Sequence, residues 1–340
     1  MTNRMLALPK VDLHLHLDGS VLPATIIDLA REAGERLPAE EPGQLLPYMR
    51  VEGECKSLIE YLNKFRFVGQ FLHTPYSLER AAYEVVEQAS AQNCLYIEVR
   101  FAPQLHRKLG LTVEDAIHYV VRGLQQGERD FGVMARCIAI CLRGHSEEFN
   151  REVIRAASLY LGKGVVAVDL AGAEAAFPAE LYRDIFAMAR ERGLPITIHA
   201  GEAAGAASVR TAVELLGANR VGHGVRMRED SAVVELIRRG RIPLELCPIS
   251  NLQTKAVDCL SSYPIRDYFD KGILVTVNTD NLTVSDTTIT KEYELLHAKL
   301  GFSEEEVGRI AMYGAEAAFV KGAEKKELLA RFGQQLALWQ

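Results

Sequence analysis

Apolar and polar residues alternate along residues 11–18, VDLHLHLD, near the start of the chain. A period of two is typical of a β-strand with one apolar and one polar face. Solvent is the usual partner of a polar strand face, but it rarely requires two histidines two positions apart, as His14 and His16 are. The pattern predicts a first strand over 11–17 and raises the question of what its polar face contacts.

Short β-branched runs recur along the chain, and each is followed by a segment with helical periodicity. The predicted strands lie at 11–17, 94–101, 133–142, 165–170, 195–200, 219–223, 242–247 and 273–279. The predicted helices lie near 22–34, 57–70, 76–92, 113–127, 147–162, 179–192, 206–216, 229–239, 264–271 and 289–300. Such alternation is typical of parallel strands joined by crossover helices.

Eight strand–helix units favour an α/β fold of the (β/α)8 TIM barrel type, although their number alone does not exclude an open doubly wound sheet. A barrel of this type needs about 250 residues plus insertions, so residues 1–340 are predicted to form a single domain. Extra helices are expected after strand 1, within 35–75, and at the C-terminus, within 303–340.

One extra helix, predicted within 57–72, falls between the first two strands and therefore at the mouth of the barrel. Its apolar side chains are candidates for a hydrophobic lid, with packing against the barrel as an equally favoured alternative. These side chains are Leu58, Tyr61, Leu62 and Phe65.

Composition narrows the class of partner. The chain is 48% hydrophobic and 25% charged, which is typical of globular proteins, and its formal net charge of −6 argues against a nucleic-acid surface. It has no apolar run of the ~18 residues that a membrane span needs and no recognisable secretory signal, so a cytoplasmic location is predicted. A small-molecule partner is the expectation, with neither nucleic acid nor membrane involved.

Polar side chains cluster where the predicted strands end. These residues are His14 and His16 on strand one, His199 on strand five, His223 on strand six and Asp280 on strand eight. In a barrel, inward-facing side chains at the carboxyl ends of strands converge on one point. Imidazole and carboxylate donors there suit zinc, with iron or manganese conceivable on ligand type.

Longer motifs surround these residues, and together they cover nearly the whole chain. They are KVDLHLHLDGS at 10–20, EVRFAP at 98–103, DLAG at 169–172, HAGE at 199–202, GHG at 222–224, CPISN at 247–251 and NTD at 278–280. With these motifs the sequence resembles the adenosine deaminase family, the mononuclear zinc branch of the amidohydrolase superfamily.

The resemblance implies one Zn²⁺ per chain, with His14, His16, His199 and Asp280 as its ligands. Such a zinc ion lowers the pKa of a bound water toward ~7. His223 matches the residue that orients the attacking water and supports its deprotonation.

The resemblance also implies roles around the substrate. Glu202 matches the donor of a proton to purine N1, and Gly172 matches the residue whose backbone N–H meets N3. Asp18 matches the acceptor for the ribose 5′-hydroxyl, and Gly19 beside it leaves room. Asn281 stands where most relatives carry an Asp that donates to N7.

The implied reaction is hydrolytic deamination of adenosine and 2′-deoxyadenosine to inosine and 2′-deoxyinosine, with release of ammonia. Because Asn281 replaces the usual Asp, deamination of adenine or of a modified adenosine stays open as an alternative. A non-catalytic binding protein on the same barrel is the non-enzyme alternative. The sequence leaves the oligomeric state open. A second departure, Ala173 in DLAGAE, replaces another Asp of the family pattern.

Overall fold

The fold was analysed in a computed structural model that describes residues 4–51 and 58–340, without the side chains of residues 58–62. Eight parallel strands form its centre. They are β1 (Lys10–His16), β2 (Cys94–Phe101), β3 (Met134–Leu142), β4 (Val165–Ala171), β5 (Thr197–Ala200), β6 (Arg220–His223), β7 (Leu244–Leu246) and β8 (Val275–Val277).

The strands close into a barrel. Neighbouring strands pair in parallel in the orders β1-β2-β3-β4 and β5-β6-β7-β8. Single parallel bridges join the two groups on both sides, between Val168 and Ile196 and between Leu15 and Asp280. The predicted TIM barrel is confirmed, and the open doubly wound sheet is wrong.

Helices surround the strands. They are α1 (Arg4–Ala7), α2 (Pro23–Ala33), α3 (Pro42–Met49), α4 (Leu58–Gly69), α5 (Pro75–Ser90), α6 (Val113–Phe131), α7 (Glu147–Leu159), α8 (Arg183–Glu191), α9 (Ala206–Glu214), α10 (Ser231–Gly240), α11 (Pro248–Gln253), α12 (Ile265–Asp270), α13 (Ile289–Lys299), α14 (Glu304–Ala317) and α15 (Gly322–Trp339). Short 3₁₀ helices lie at Pro103–His106, Ala179–Tyr182, Val225–Glu229 and Leu260–Ser262.

The expected extra helices are present: α3 and α4 follow strand 1, and α14 and α15 end the chain. The helix predicted over 179–192 is divided, because a 3₁₀ turn at Ala179–Tyr182 precedes α8. Strand eight ends at Val277, two residues before the predicted end. In the described segments of the chain, none of the helices combines the length and apolar character needed to cross a membrane.

The polar face of β1 points into the barrel. Asp12 and His14 are 2% and 0% exposed, so neither meets solvent. The interior also holds paired charges: Arg100 contacts Asp169 at 2.9 Å and Glu245 at 2.8 Å. Buried charges are tolerated when they are paired and hydrogen-bonded. This charged layer lies directly beneath the histidines at the strand ends.

Candidate active site

The four residues predicted as metal ligands converge at the carboxyl end of the barrel. Nε2 of His16 lies 3.3 Å from Nε2 of His199 and 3.3 Å from Oδ1 of Asp280. Nε2 of His14 lies 3.6 Å from the same Oδ1. Donors placed tetrahedrally around zinc at ~2.0–2.1 Å are about 3.3 Å apart, so the spacing fits one such ion.

His14 provides a separate test of that fit. Its Nε2 is buried and has no hydrogen-bond partner among the residues that the structure describes. Its other ring nitrogen, Nδ1, lies 2.9 Å from Oε2 of Glu245. Because the carboxylate accepts the Nδ1 proton, the Nε2 lone pair faces the donor cluster, as a metal ligand requires.

The remaining ligands are oriented in a similar way. Nδ1 of His199 lies 2.9 Å from a carboxylate oxygen of Asp169. The hydroxyl of Ser250 donates to Oδ2 of Asp280 at 2.6 Å, which leaves Oδ1 directed at the histidines. Such outer contacts fix the tautomer and orientation of metal-binding side chains.

Two other side chains have donor atoms close enough to compete as ligands. The ring nitrogens of His14, His199 and His223 lie within 4.8 Å of one another, as do the donor atoms of His14, Cys247 and Asp280. The thiol of Cys247 is already engaged, because it donates to the backbone carbonyl of Glu245 at 3.6 Å. His223 makes its closest carboxylate contact with Glu202 instead, at 3.6 Å.

Glu202 lies in the loop between β5 and α9, where it faces His223. Thr254 donates its hydroxyl to Oε1 of Glu202 at 3.1 Å, and Oε2 lies toward Nε2 of His223. Burial raises the pKa of Glu202, which favours a carboxyl group that holds a proton. His223 has φ of 62° at the end of β6, an uncommon conformation for a residue with a side chain.

The loop that carries Glu202 is organised by a residue that the sequence analysis missed. The carboxylate of Glu174 accepts hydrogen bonds from the backbone N–H groups of Gly201 at 2.7 Å, Ala203 at 2.7 Å and Ala204 at 2.9 Å. It also accepts from the N–H of Glu202 at 3.1 Å and from the Ser208 hydroxyl at 2.5 Å. Glu174 ends the DLAGAE segment, and its place two residues after the DLAG motif is the sequence signal that could have identified it.

A cavity of about 570 Å³ opens above these groups. Its lining includes all the predicted metal-binding, catalytic and substrate-contact residues except His14 and Gly19. Its apolar wall is built by side chains near the ends of β2, β3 and β4 and in the segments that follow them. The wall residues include Ala102, Leu105, Ile140, Leu142, Ala171 and Ala176. A wall of this kind with polar groups at one end is typical of small-molecule sites.

The predicted substrate contacts lie on this lining. Oδ1 of Asp18 has no hydrogen-bond partner within the described parts of the chain, and burial raises the pKa of Asp18 to about 6. Gly172 has φ of 106°, which favours glycine. A Cβ atom on Gly19 would overlap Oδ1 of Asn281, so the space beside Gly19 is taken by that amide.

The predicted lid is only partly described. Phe65 of α4 lines the cavity and packs against Val51 and Val284. The side chains of Leu58, Tyr61 and Leu62 lie outside the described residues. Phe65 therefore contacts the cavity and also packs on the segments that follow α3 and β8.

Comparison with known proteins places this site in a family. The adenosine deaminase family model matches residues 9–334. An adenosine deaminase of Clostridium botulinum (strain Okra / Type B1) is 41% identical over 330 residues, which are 97% of this chain and 98% of that protein.

Solved structures show the same fold. An adenine deaminase from Arthrobacter aurescens has a TM-score of 0.87 and 29% identity, covering 97% of this chain and 98% of its own. An amidohydrolase from Burkholderia ambifaria, crystallised with bound zinc, has a TM-score of 0.88 and 26% identity. The match covers 99% of this chain and 92% of the amidohydrolase chain. The family match spans every strand of the barrel and every motif of the site. The chain therefore belongs to the adenosine deaminase family of metal-dependent amidohydrolases.

Proposed function

We propose that this enzyme hydrolyses adenosine and 2′-deoxyadenosine to inosine and 2′-deoxyinosine, with release of ammonia. The observation that carries the proposal is the meeting of Glu202 and His223 with a four-donor cluster at the base of an apolar cavity. Full-length similarity to an adenosine deaminase at 41% identity supports the same reaction.

The proposed cofactor is one zinc ion per chain, held by His14, His16, His199 and Asp280. When bound, zinc acts as a Lewis acid that lowers the pKa of water to about 7. The unpartnered Nε2 of His14 and the 3.3 Å donor spacing support this ligand set.

Glu202 is proposed to hold a proton and to donate it to purine N1. Protonation at N1 withdraws electrons from C6 and makes that carbon more open to attack by water. The raised pKa of Glu202 supports this role, because a carboxyl group with its ordinary pKa would be ionised near neutral pH. His223, whose Nε2 lies 3.6 Å from Oε2 of Glu202, is proposed to orient the attacking water.

The remaining contacts are proposed to select the nucleoside. Asp18 would accept the 5′-hydroxyl with its unpartnered oxygen, Gly172 would donate its N–H to N3, and Asn281 would donate its amide N–H to N7. A 5′-phosphate is disfavoured because it would face the Asp18 carboxylate. Two cations, Arg226 and Lys255, also line the cavity, so AMP belongs in the test.

The test is ammonia release by the zinc-loaded enzyme from adenosine, 2′-deoxyadenosine, adenine, AMP and N6-methyladenosine. The proposal expects the highest kcat/KM on the two nucleosides. A preference for adenine or for a modified adenosine would replace the proposed substrate, and no turnover of any compound would favour a binding protein. Glu191 is exposed and does not line the cavity, so Glu191→Gln is the control for Glu202→Gln.

The single domain over residues 1–340 and the cytoplasmic location stay predictions.

A further inference from the structure

The side chain of Asn251 connects His223 to a buried tyrosine. Its Nδ2 lies 2.9 Å from Nδ1 of His223, and its Oδ1 lies 3.0 Å from the hydroxyl of Tyr263. All three side chains are buried, at 0%, 1% and 5% exposure for Asn251, His223 and Tyr263. Asn251 lies on the short helix α11, whose Ser250 contacts the proposed ligand Asp280.

The direction of these hydrogen bonds follows from the tyrosine. Burial raises the pKa of Tyr263 well above its usual value, so its hydroxyl keeps its proton. Its O–H is thus available to donate to Oδ1 of Asn251, which leaves the amide nitrogen facing His223. An amide nitrogen can only donate, so Nδ1 of His223 must accept.

The other histidines of the site have the opposite arrangement. Nδ1 of His14 faces Glu245 and Nδ1 of His199 faces Asp169, and both carboxylates are acceptors. Those rings carry their proton on Nδ1 and present a lone pair at Nε2. His223 faces a donor instead, so its neutral ring carries the proton on Nε2.

We propose that Asn251 and Tyr263 are positioning residues that hold His223 as its Nε2–H tautomer. His223 then acts on the attacking water as a hydrogen-bond donor at Nε2 and stabilises negative charge that develops on the water oxygen. Neutral His223 cannot accept the first proton of that water at Nε2, because the position is already protonated. That proton passes instead to the carboxylate of Glu202, which has by then donated its own proton to N1 and whose Oε2 lies 3.6 Å from Nε2 of His223. This assignment of roles rests on the proposed function, whereas the tautomer itself does not.

The tautomer can be measured without turnover. In zinc-loaded full-length protein labelled with ¹⁵N-histidine, two-bond ¹H–¹⁵N spectra distinguish protonated from unprotonated ring nitrogens, and the His223 signals are those lost in His223→Gln. The expected spectrum of the parent has Nδ1 unprotonated and Nε2 protonated. A protonated Nδ1 in the parent overturns the inference.

Asn251→Asp changes one atom and turns the donor into an acceptor. The inference expects the His223 proton to move to Nδ1 and kcat to fall at least ~10²-fold, because the wrong histidine tautomer costs up to about 10⁴ in a serine protease. Tyr263→Phe frees the amide to rotate, so both tautomers should be present. Asn219 lies outside the site, where its Oδ1 accepts from the backbone N–H of Ile196. The control variant Asn219→Asp should change neither the His223 signals nor kcat.

An Asn251→Asp variant with the parent spectrum and the parent kcat would overturn the inference. If the parent turns over adenosine but shows Nδ1–H, the inference fails and the proposed function stands. If the parent shows Nε2–H but turns over none of the aminopurines, the tautomer stands and the proposed function fails.

Discussion

Replacing Glu174 by Gln should disable the enzyme while leaving its metal ligands in place. Glu174 takes no part in the proposed chemical steps. Its carboxylate accepts hydrogen bonds from the four consecutive backbone N–H groups of residues 201–204 and from the Ser208 hydroxyl. That contact set fixes the loop from which Glu202 enters the cavity.

The magnitude follows from how the donors divide between the two oxygens. Oε2 accepts from three N–H groups, whereas Oε1 accepts from the N–H of Gly201 and from Ser208. In the best arrangement of Gln, its oxygen replaces Oε2 and its NH₂ group replaces Oε1. The NH₂ group can donate to the Ser208 oxygen, but it cannot accept from the N–H of Gly201, which loses its partner. One buried N–H left unsatisfied costs about 1–3 kcal/mol. The remaining bonds also weaken, because bonds to a charged acceptor are roughly twice as strong as neutral ones.

A loop destabilised by that amount should shift Glu202, and a displacement of about 1 Å in a catalytic group can cost ~10² in rate. We therefore expect kcat/KM for adenosine to fall about 10²-fold or more, mostly through kcat, with zinc content unchanged. The assay is steady-state kinetics together with metal analysis of the same preparation.

Glu180→Gln is the matched control, since Glu180 is exposed and accepts a hydrogen bond from the Thr211 hydroxyl at the protein surface. It should retain the parent kcat/KM. A Glu174→Gln variant with the parent kcat and KM and a full complement of zinc would refute the reasoning.

Four further changes test individual groups. Glu202→Gln removes the proton but keeps the shape, so kcat should fall by ~10²–10⁴ at normal zinc content, and unchanged turnover would show that the N1 proton comes from elsewhere. Asp18→Ala should slow adenosine but hardly affect 5′-deoxyadenosine, with a coupling of about 1–3 kcal/mol; equal losses on both would indicate a structural Asp. Asn281→Ala should cost ~1–3 kcal/mol in kcat/KM and should make adenosine and its analogue with carbon at position 7 equally poor, whereas normal turnover would exclude the N7 contact. Burial raises the pKa of Glu292 from 4.5 to about 8, so the folded protein holds this proton more tightly than the unfolded chain and should lose stability as the pH rises between those values. In thermal denaturation, Glu292→Gln should lack that part of the decline, and pH profiles identical to those of the parent would contradict the shift.

The barrel could be predicted because its signals are local. Each strand is a short apolar run and each helix has its own period, so alternation along the chain was enough to define the order of elements. Parallel strands also bring their carboxyl ends to one rim, so the sequence predicts that His14, His16, His199, His223 and Asp280 lie together. The resemblance to the family then separates the four proposed ligands from His223.

The contacts that orient those residues could not be predicted in the same way. Asn251 and His223 are in contact although 28 positions separate them in the sequence, and Thr254 and Glu202 are separated by 52 positions. The loops that bring them together have no periodic pattern of residues. The helix α11 that carries Asn251 is six residues long, too short for a helical pattern to emerge. Glu174 acts on backbone N–H groups, which every non-proline residue has, so the residues that it holds carry no matching signal.

Buried charge is a third reason for incomplete prediction. Arg100, Asp169 and Glu245 occur within strands, where a charged residue usually indicates a solvent-facing position. Their burial follows only from the closed barrel, which brings opposite charges from β2, β4 and β7 together. His14 and His199 obtain their acceptors from this layer, so the orientation of the site depends on the fold as a whole.

Zinc titration of metal-free enzyme, with conversion of adenosine to inosine followed by absorbance, tests the central claim most directly. The account predicts no turnover without metal, a linear rise in activity on addition of zinc, and a plateau at one zinc per chain. Full activity of the metal-free protein, or a plateau only at two zinc ions per chain, would contradict it.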